Sequence, residues 1–210
     1  MAVSTKTNTI VPSNPASGHA FVPSFGIIKP KALCHIVLRT KPENYERMVK
    51  WYVDFVGGWT THAAKTITFI GYDEEHHRIG IVPRADAVSR PTDNCPIVGL
   101  GHVAFGYNNL AELATCYEQK KEAGIRPVWT VNHGPTTSLY YKDPDGNEVE
   151  TQVDNFDTVE ETIAFMEGPE FDENPMGVDF DPDEFVRRVH SGEDERSIKK
   201  RPNIGARSTR

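Results

Sequence analysis

The sequence predicts an α+β fold built from two βαβββ modules, their sheets combining into a half-open mixed barrel. Three observations carry this expectation. Two apolar runs each hold a histidine at the third position: Leu33-Cys34-His35-Ile36-Val37-Leu38-Arg39-Thr40 and Leu100-Gly101-His102-Val103-Ala104-Phe105-Gly106-Tyr107. Each run is followed by a helical pattern and then by three strand-like segments, a weak internal repeat. The last of these segments begins at a turn, Asp143-Pro144-Asp145-Gly146, and runs into Asn147-Glu148-Val149-Glu150.

The elements follow in chain order. Residues 1–30 are rich in Ser, Thr, Asn and Pro and read as a flexible arm. After the first strand, Lys41-Pro42 opens a helix in which Tyr45, Met48, Val49, Tyr52, Phe55 and Val56 recur at helical spacing. Gly57-Gly58 stops it. Strands are expected over Trp59–Ala63, Thr66–Tyr72 and His77–Val82. The second half restarts at Pro96. After its first strand, Asn109 with Glu112 three residues on has the form of a capping box. Leu110, Leu113, Ala114 and Tyr117 make the apolar face of that helix, and Gly124 ends it. Strands follow at Arg126–Asn132, Ser138–Lys142 and Asn147–Val153. The domain boundaries are an arm at 1–30, a two-module domain at 31–153 (module one 31–85, module two 96–153), an extension at 154–192 and a polar basic tail at 193–210. Within the extension a short helix is expected around Val159–Met166 and an ordered turn at Asn174–Phe180. A second helix there is capped by Asp181-Pro182 and runs through about Val189.

Composition narrows the class. At 210 residues, one compact domain with tails is expected. The formal charge of -7 argues against nucleic acid as a partner. No stretch approaches the roughly 20 apolar residues of a membrane span, and Met1–Ser13 lacks the pattern of a secretory signal. Three cysteines, Cys34, Cys95 and Cys116, suit a reducing compartment better than a disulfide framework, so the cytoplasm is the expected location.

Strand parity gives the histidines a chemical meaning. Alternate residues of a strand share a face, which groups Leu33, His35 and Val37 against Cys34, Ile36 and Leu38. In the matching strand it groups His102 and Ala104 against Val103 and Phe105. The second set of each pair packs on the helices, leaving both histidines on the concave side. In the last strand Glu148, Glu150 and Gln152 share a face, and parity alone does not choose between the glutamates. A single histidine in an apolar strand is ordinarily a rim or core residue. Two at equivalent repeat positions, with a glutamate on the same sheet, form the two-His-one-carboxylate set of non-haem Fe(II) oxygenases.

The segment Val131-x-His133, five residues, Leu139-Tyr140, two residues, Asp143-Pro144-x-Gly146, three residues, Glu150 matches at every specified position the signature of type I extradiol ring-cleavage dioxygenases. The region from about Pro30 to Val153 resembles the vicinal oxygen chelate superfamily, and the chain is similar to its small single-domain catechol and biphenyl-diol dioxygenases. The resemblance implies His35, His102 and Glu150 as Fe(II) ligands, with Mn(II) an alternative metal. It places His133 and Tyr140 beside the bound substrate and makes His77 the acid-base residue. The substrates it implies are a catechol-like aromatic and O2, giving a ring-opened semialdehyde or acid. The rivals on the same scaffold are a glyoxalase-like lyase, isomerase or epimerase and a non-catalytic binding protein. A homo-oligomer is left open.

Three points of this carry-over rest on particular positions. The turn at residues 143–146 makes a hairpin that sets Tyr140 and Glu150 on neighbouring strands; Tyr141 is the other candidate for the inward tyrosine. Aligning Phe69–Val82 with Leu139–Gln152 puts Gly80 opposite Glu150, so module one lacks a fourth carboxylate. Strict alternation then puts His77 and Gly80 on opposite faces, so His77 belongs at the strand entrance or on a bulge, with His76 the alternative. The Asn174-Pro175-Met176-Gly177 stretch is similar to one near the site in extradiol enzymes. The basic residues after Asp194 read as a solvated tail.

Overall fold

Alternation in the two halves folds into two mixed sheets of the same strand order. The computed structural model describes Ile28, residues 30–92 and residues 98–209. Every element lies in the unit Leu33–Arg210; Met1–Ala32 is a separate unit without helix or strand among its described residues. Most of the arm expected at 1–30 therefore lies outside the described residues, as do Cys95 and the restart at Pro96.

Module one comprises β1 (Ile36–Thr40), α1 (Tyr45–Val56), β2 (Trp59–Ala63), β3 (Thr68–Gly71) and β4 (Ile79–Pro83). Its sheet runs β1-β4-β3-β2, with β1 and β4 parallel and the other pairs antiparallel. Module two repeats this with β5 (His102–Gly106), α2 (Leu110–Glu122), β6 (Trp129–Asn132), β7 (Thr136–Lys142) and β8 (Glu148–Asp154). Its order is β5-β8-β7-β6, with β5 and β8 parallel, extended at the β6 edge by β9 (Val178–Asp179). Neither sheet closes on itself. The α+β class and the half-open arrangement are as the sequence predicts.

Helix boundaries follow local chemistry. A single 3-10 turn, Pro42–Asn44, precedes α1, which starts at Tyr45 rather than at Lys41-Pro42. Gly57 ends α1 in the left-handed region at φ 62°, where a side chain is disfavoured. Asn109 caps α2 by accepting from the Glu112 amide. The Glu112 carboxylate reaches back to the Asn108 amide instead of to Asn109, so only half of the expected capping box forms. Met48, Tyr52 and Phe55 of α1 and Leu110, Leu113, Ala114 and Tyr117 of α2 are all buried in one shared core. Full burial of each large apolar side chain contributes about 1.5–3 kcal/mol.

The core also joins the modules. Phe55 of α1 packs edge-on against Phe105 of β5 and Tyr141 of β7, with ring centroids 6.0 and 5.2 Å away. The Tyr52 hydroxyl donates to buried Asp143 at 2.9 Å. Asp143 further accepts from the amides of Asp145 and Asn147 and from the Asn147 side chain. This fixes the turn between β7 and β8, where Gly146 takes φ 81°.

The C-terminal extension holds α3 (Val159–Met166) as expected and then α4 (Pro169–Glu173), and β9 falls inside the 174–180 stretch expected as a turn. After these come α5 (Pro182–His190), capped by Asp181, and α6 (Glu195–Lys199). The reading of residues after Asp194 as a solvated tail is corrected: Ile198 joins the core, and Arg201 donates to carbonyls of the β6 end and the preceding loop. Charge density hid this, because Arg201 bonds to main-chain groups distant in sequence. Among the described residues no helix is long and apolar enough to cross a membrane.

Candidate metal and substrate site

The concave face of module two is built by cross-strand register. In one row Ala104 pairs with Glu150, Glu150 with Tyr140, and Tyr140 with Trp129. Glu150 is 3% exposed, and a carboxylate that deep needs donors. It has three: the Nε2 of His102 lies 3.0 Å away, and Ser138 and Tyr140 also donate to it. Burial pushes the Glu150 carboxyl upward, but these donors outweigh it and hold the group below its ordinary value. The same bond to Glu150 raises His102 above its ordinary value against the opposing effect of burial.

Tyr140 links this pair to His133. Its hydroxyl lies 3.0 Å from His133 Nε2, while His133 Nδ1 faces the Met176 carbonyl at 2.7 Å. A carbonyl only accepts, so the neutral ring carries its proton on Nδ1, and its Nε2 shares with Glu150 the single proton of the Tyr140 O–H. Burial holds His133 below its ordinary pKa. Trp129 stacks on the Tyr140 ring with centroids 4.9 Å apart and is anchored by its indole N–H on Asp179 at 2.8 Å. Tyr140, not Tyr141, is the inward tyrosine; Tyr141 is fully buried on the helix side.

Module one gathers a second group. β1 begins at Ile36 rather than Leu33, so His35 stands exposed just before the strand. His77 likewise precedes β4, at the strand entrance, which resolves the parity conflict with Gly80 without a bulge. Its ring stacks on Phe69 at 4.2 Å and lies 4.5 Å from the His35 ring. His76 is a hydrogen-bonding neighbour through the two Nδ1 atoms. Burial first, then the charges of His76 and His35, hold His77 below its ordinary pKa.

The fold thus joins His102, Glu150, Tyr140 and His133 in one chain, and His35 and His77 in another. Among the described residues no three His, Cys, Asp or Glu side chains stand at metal-holding spacing. The donor chemistry nonetheless fits a divalent first-row ion: an imidazole nitrogen and an ionised carboxylate converge within 3.0 Å on the concave face. Sequence reasoning did not single out Ser138, Trp129 or Met176. Ser138 had a local signal, two residues from Tyr140 on the same strand face. Met176 lay in the Asn174–Gly177 stretch already marked as lining the site, while Trp129 stood out only as an aromatic in the expected strand.

The model of the Glyoxalase/Bleomycin resistance protein/Dioxygenase superfamily matches residues 32–151. Biphenyl-2,3-diol 1,2-dioxygenase 2 of Rhodococcus globerulus is 42% identical over 148 residues, 70% of this chain and 76% of that one. Biphenyl-2,3-diol 1,2-dioxygenase 3 of the same organism is 40% identical over 151 residues, 71% and 77% of the two chains. A solved glyoxalase/dioxygenase from Nostoc punctiforme covers 62% of this chain and 97% of that one at 16% identity and a TM-score of 0.48, too slight a likeness to add to the sequence relatives. The chain belongs to the glyoxalase/bleomycin resistance protein/dioxygenase superfamily.

Proposed function

We propose that this protein is an extradiol dioxygenase that opens the ring of a catechol-like aromatic with O2, using Fe(II) held by His35, His102 and Glu150. The observation that carries the reading is the continuous chain from His102 through Glu150 and Tyr140 to His133, on residues that also fit the ring-cleavage signature. The relatives named for biphenyl-2,3-diol support a vicinal aromatic diol as substrate. A divalent metal, when bound, would offer open positions to both diol oxygens and to dioxygen and would favour loss of a phenolic proton.

The protein's own groups do the rest. Glu150 is ionised because its three donors stabilise the charge. His102 shares its face, and His35, exposed at the mouth of module one, would complete the set. Tyr140, held by His133 and flanked by Trp129, presents a hydroxyl beside that point and orients a diolate through it. His77 is kept neutral by burial and by its histidine neighbours, so it accepts a proton from the substrate and later returns it. Phe69, stacked under His77, limits the directions from which that ring is reached. Both oxygen atoms of O2 end in the ring-opened semialdehyde or acid.

The test is oxygen uptake with a panel of vicinal diols, biphenyl-2,3-diol first, on protein loaded with Fe(II) and then with Mg(II) or Ni(II). Uptake matched to ring-opened product under Fe(II) is expected. Turnover without oxygen uptake under Mg(II) or Ni(II) would move the assignment to a lyase, isomerase or epimerase. Saturable binding without turnover would make it a binding protein.

A further inference from the structure

We infer that Arg201 is a positioning residue: it staples the 174–177 loop onto the end of β6 and so fixes the His133 ring against Tyr140. Its effect on turnover rests on the extradiol reading; its effect on the ring does not.

The three hydrogen bonds of Arg201 all go to main-chain carbonyls. Nη1 donates to His133 at 3.0 Å and to Asn174 at 2.6 Å, and Nη2 donates to Glu170 at 2.8 Å. The guanidinium also lies over the Phe165 ring at 5.1 Å. A planar fork of donors spans several acceptors in this way, whereas a lysine ammonium acts from a single point.

The loop so held presses directly on His133. Gly177 takes φ 93°, and a Cβ there would stand 2.3 Å from the Asn132 carbonyl oxygen and 2.7 Å from the His133 Cα. Only glycine allows that approach. Asn174 closes the loop on itself, accepting from the Gly177 amide at 2.7 Å and donating to its carbonyl at 3.2 Å. The closed loop aims the Met176 carbonyl at His133 Nδ1. Arg201 therefore bonds both to the loop that sets the ring and to the backbone that carries it.

A second arginine supports the other flank of Tyr140. Arg207 makes a two-pronged bond to Asp179, at 2.8 and 3.1 Å, and Asp179 is the acceptor for the Trp129 indole that stacks on Tyr140. Both arginines lie beyond the family-matched residues 32–151. The C-terminal segment thus reaches a site whose ligand candidates lie in the family-matched region.

The test has a spectroscopic arm and a kinetic arm. In metal-free protein labelled with 15N-histidine, His133 should appear as the Nδ1–H tautomer. In Arg201→Ala the two tautomers should mix; Arg201→Lys should recover part of the ordering, and added guanidinium at a non-denaturing concentration should restore Arg201→Ala. With Fe(II) loaded, Arg201→Ala should keep its iron and lose about 10–100-fold in kcat with a smaller change in KM, the scale of a misplaced catalytic group. Arg196→Ala, at an exposed site on α6, should match wild type in both arms. An unchanged His133 spectrum in folded Arg201→Ala overturns the proposal. Should Arg201→Ala fail to fold, the spectrum of Arg201→Lys decides: a wild-type pattern overturns it and a disordered tautomer supports it. If the wild type cleaves no diol, the extradiol reading falls while the spectral arm still judges Arg201.

Discussion

The two modules share a backbone and differ in what one cross-strand row carries. In module two the row is Ala104, Glu150, Tyr140 and Trp129; in module one the corresponding row is Val37, Gly80, Phe69 and His62. Where module two buries a carboxylate among three donors, module one has a glycine between Val37 and the Phe69 ring. A charge placed there would meet carbon, and burying an unpartnered carboxylate is strongly unfavourable. The duplication thus preserves the frame but puts the polar network in one half, leaving in the other an apolar stretch of Val37, Gly80 and Phe69 with His62 at its outer end and His35 and His77 beside it. The register also corrects the sequence alignment by one position: Gly80 does match Glu150, but Phe69 matches Tyr140 rather than Leu139, because the β3–β4 connection is one residue longer.

The largest expected effect comes from erasing the difference. Glu150→Gly, which gives module two the residue of module one, should abolish ring cleavage and reduce iron from about one per chain to near none. Full iron content in that variant would sink the ligand assignment and make Glu148 the next to test. His35→Ala should match it, because the reading needs a ligand from module one; normal iron there would confine the metal to module two.

His77→Asn asks whether module one supplies chemistry as well as that apolar stretch. It should retain iron and diol binding and slow turnover by about 10²–10⁴. His76→Asn should stay near wild type, and the reverse order would exchange the two roles. Next in size is Tyr140→Phe, the module-one residue at that place. A hydrogen bond to a charged group contributes about 1.5–3 kcal/mol, so a loss of roughly 10–100-fold with iron retained is expected in steady-state kinetics.

Acid sharpens the comparison through the His102–Glu150 pair. His102 is raised above its ordinary 6.5 and Glu150 lowered below its ordinary 4.5. The histidine's contribution to the metal-free fold is complete below 6.5 and is lost as pH rises through its raised value. The glutamate's is complete above 4.5 and is lost as pH falls through its lowered value, so the pair helps most between 4.5 and 6.5. A metal must displace the His102 proton. Fe(II) affinity measured by anaerobic titration should therefore fall about tenfold per pH unit below the raised His102 value. A flat profile would mean that this histidine is not a ligand. The smallest effect is expected at Gly80→Ala, whose Cβ would meet Val37 and Phe69 at 3.4 and 3.5 Å, ordinary contact distances. Urea unfolding should show a change within about 1 kcal/mol, and a large loss would mean the row is tighter than these contacts imply.

The sequence by itself determined the repeat, the helix faces, the phase of His102 in its strand and the turn that sets Tyr140 opposite Glu150. These are properties of alternation, helical period and turn chemistry, each readable within a few residues of chain. It narrowed His77 to the entrance of β4 or a bulge but could not choose, because an irregular strand entrance breaks the alternation on which parity depends. Nor could it see that Trp129 flanks the site, since the register that sets it beside Tyr140 is not written along either strand. The contacts of the segment after Asp194 were beyond its reach. Arg201 meets His133 across 68 positions of sequence through a main-chain carbonyl that every residue possesses, so no residue type announces the contact. Only the packing of the extension against the open edge of the second sheet decided it, because that edge leaves main-chain groups in need of partners.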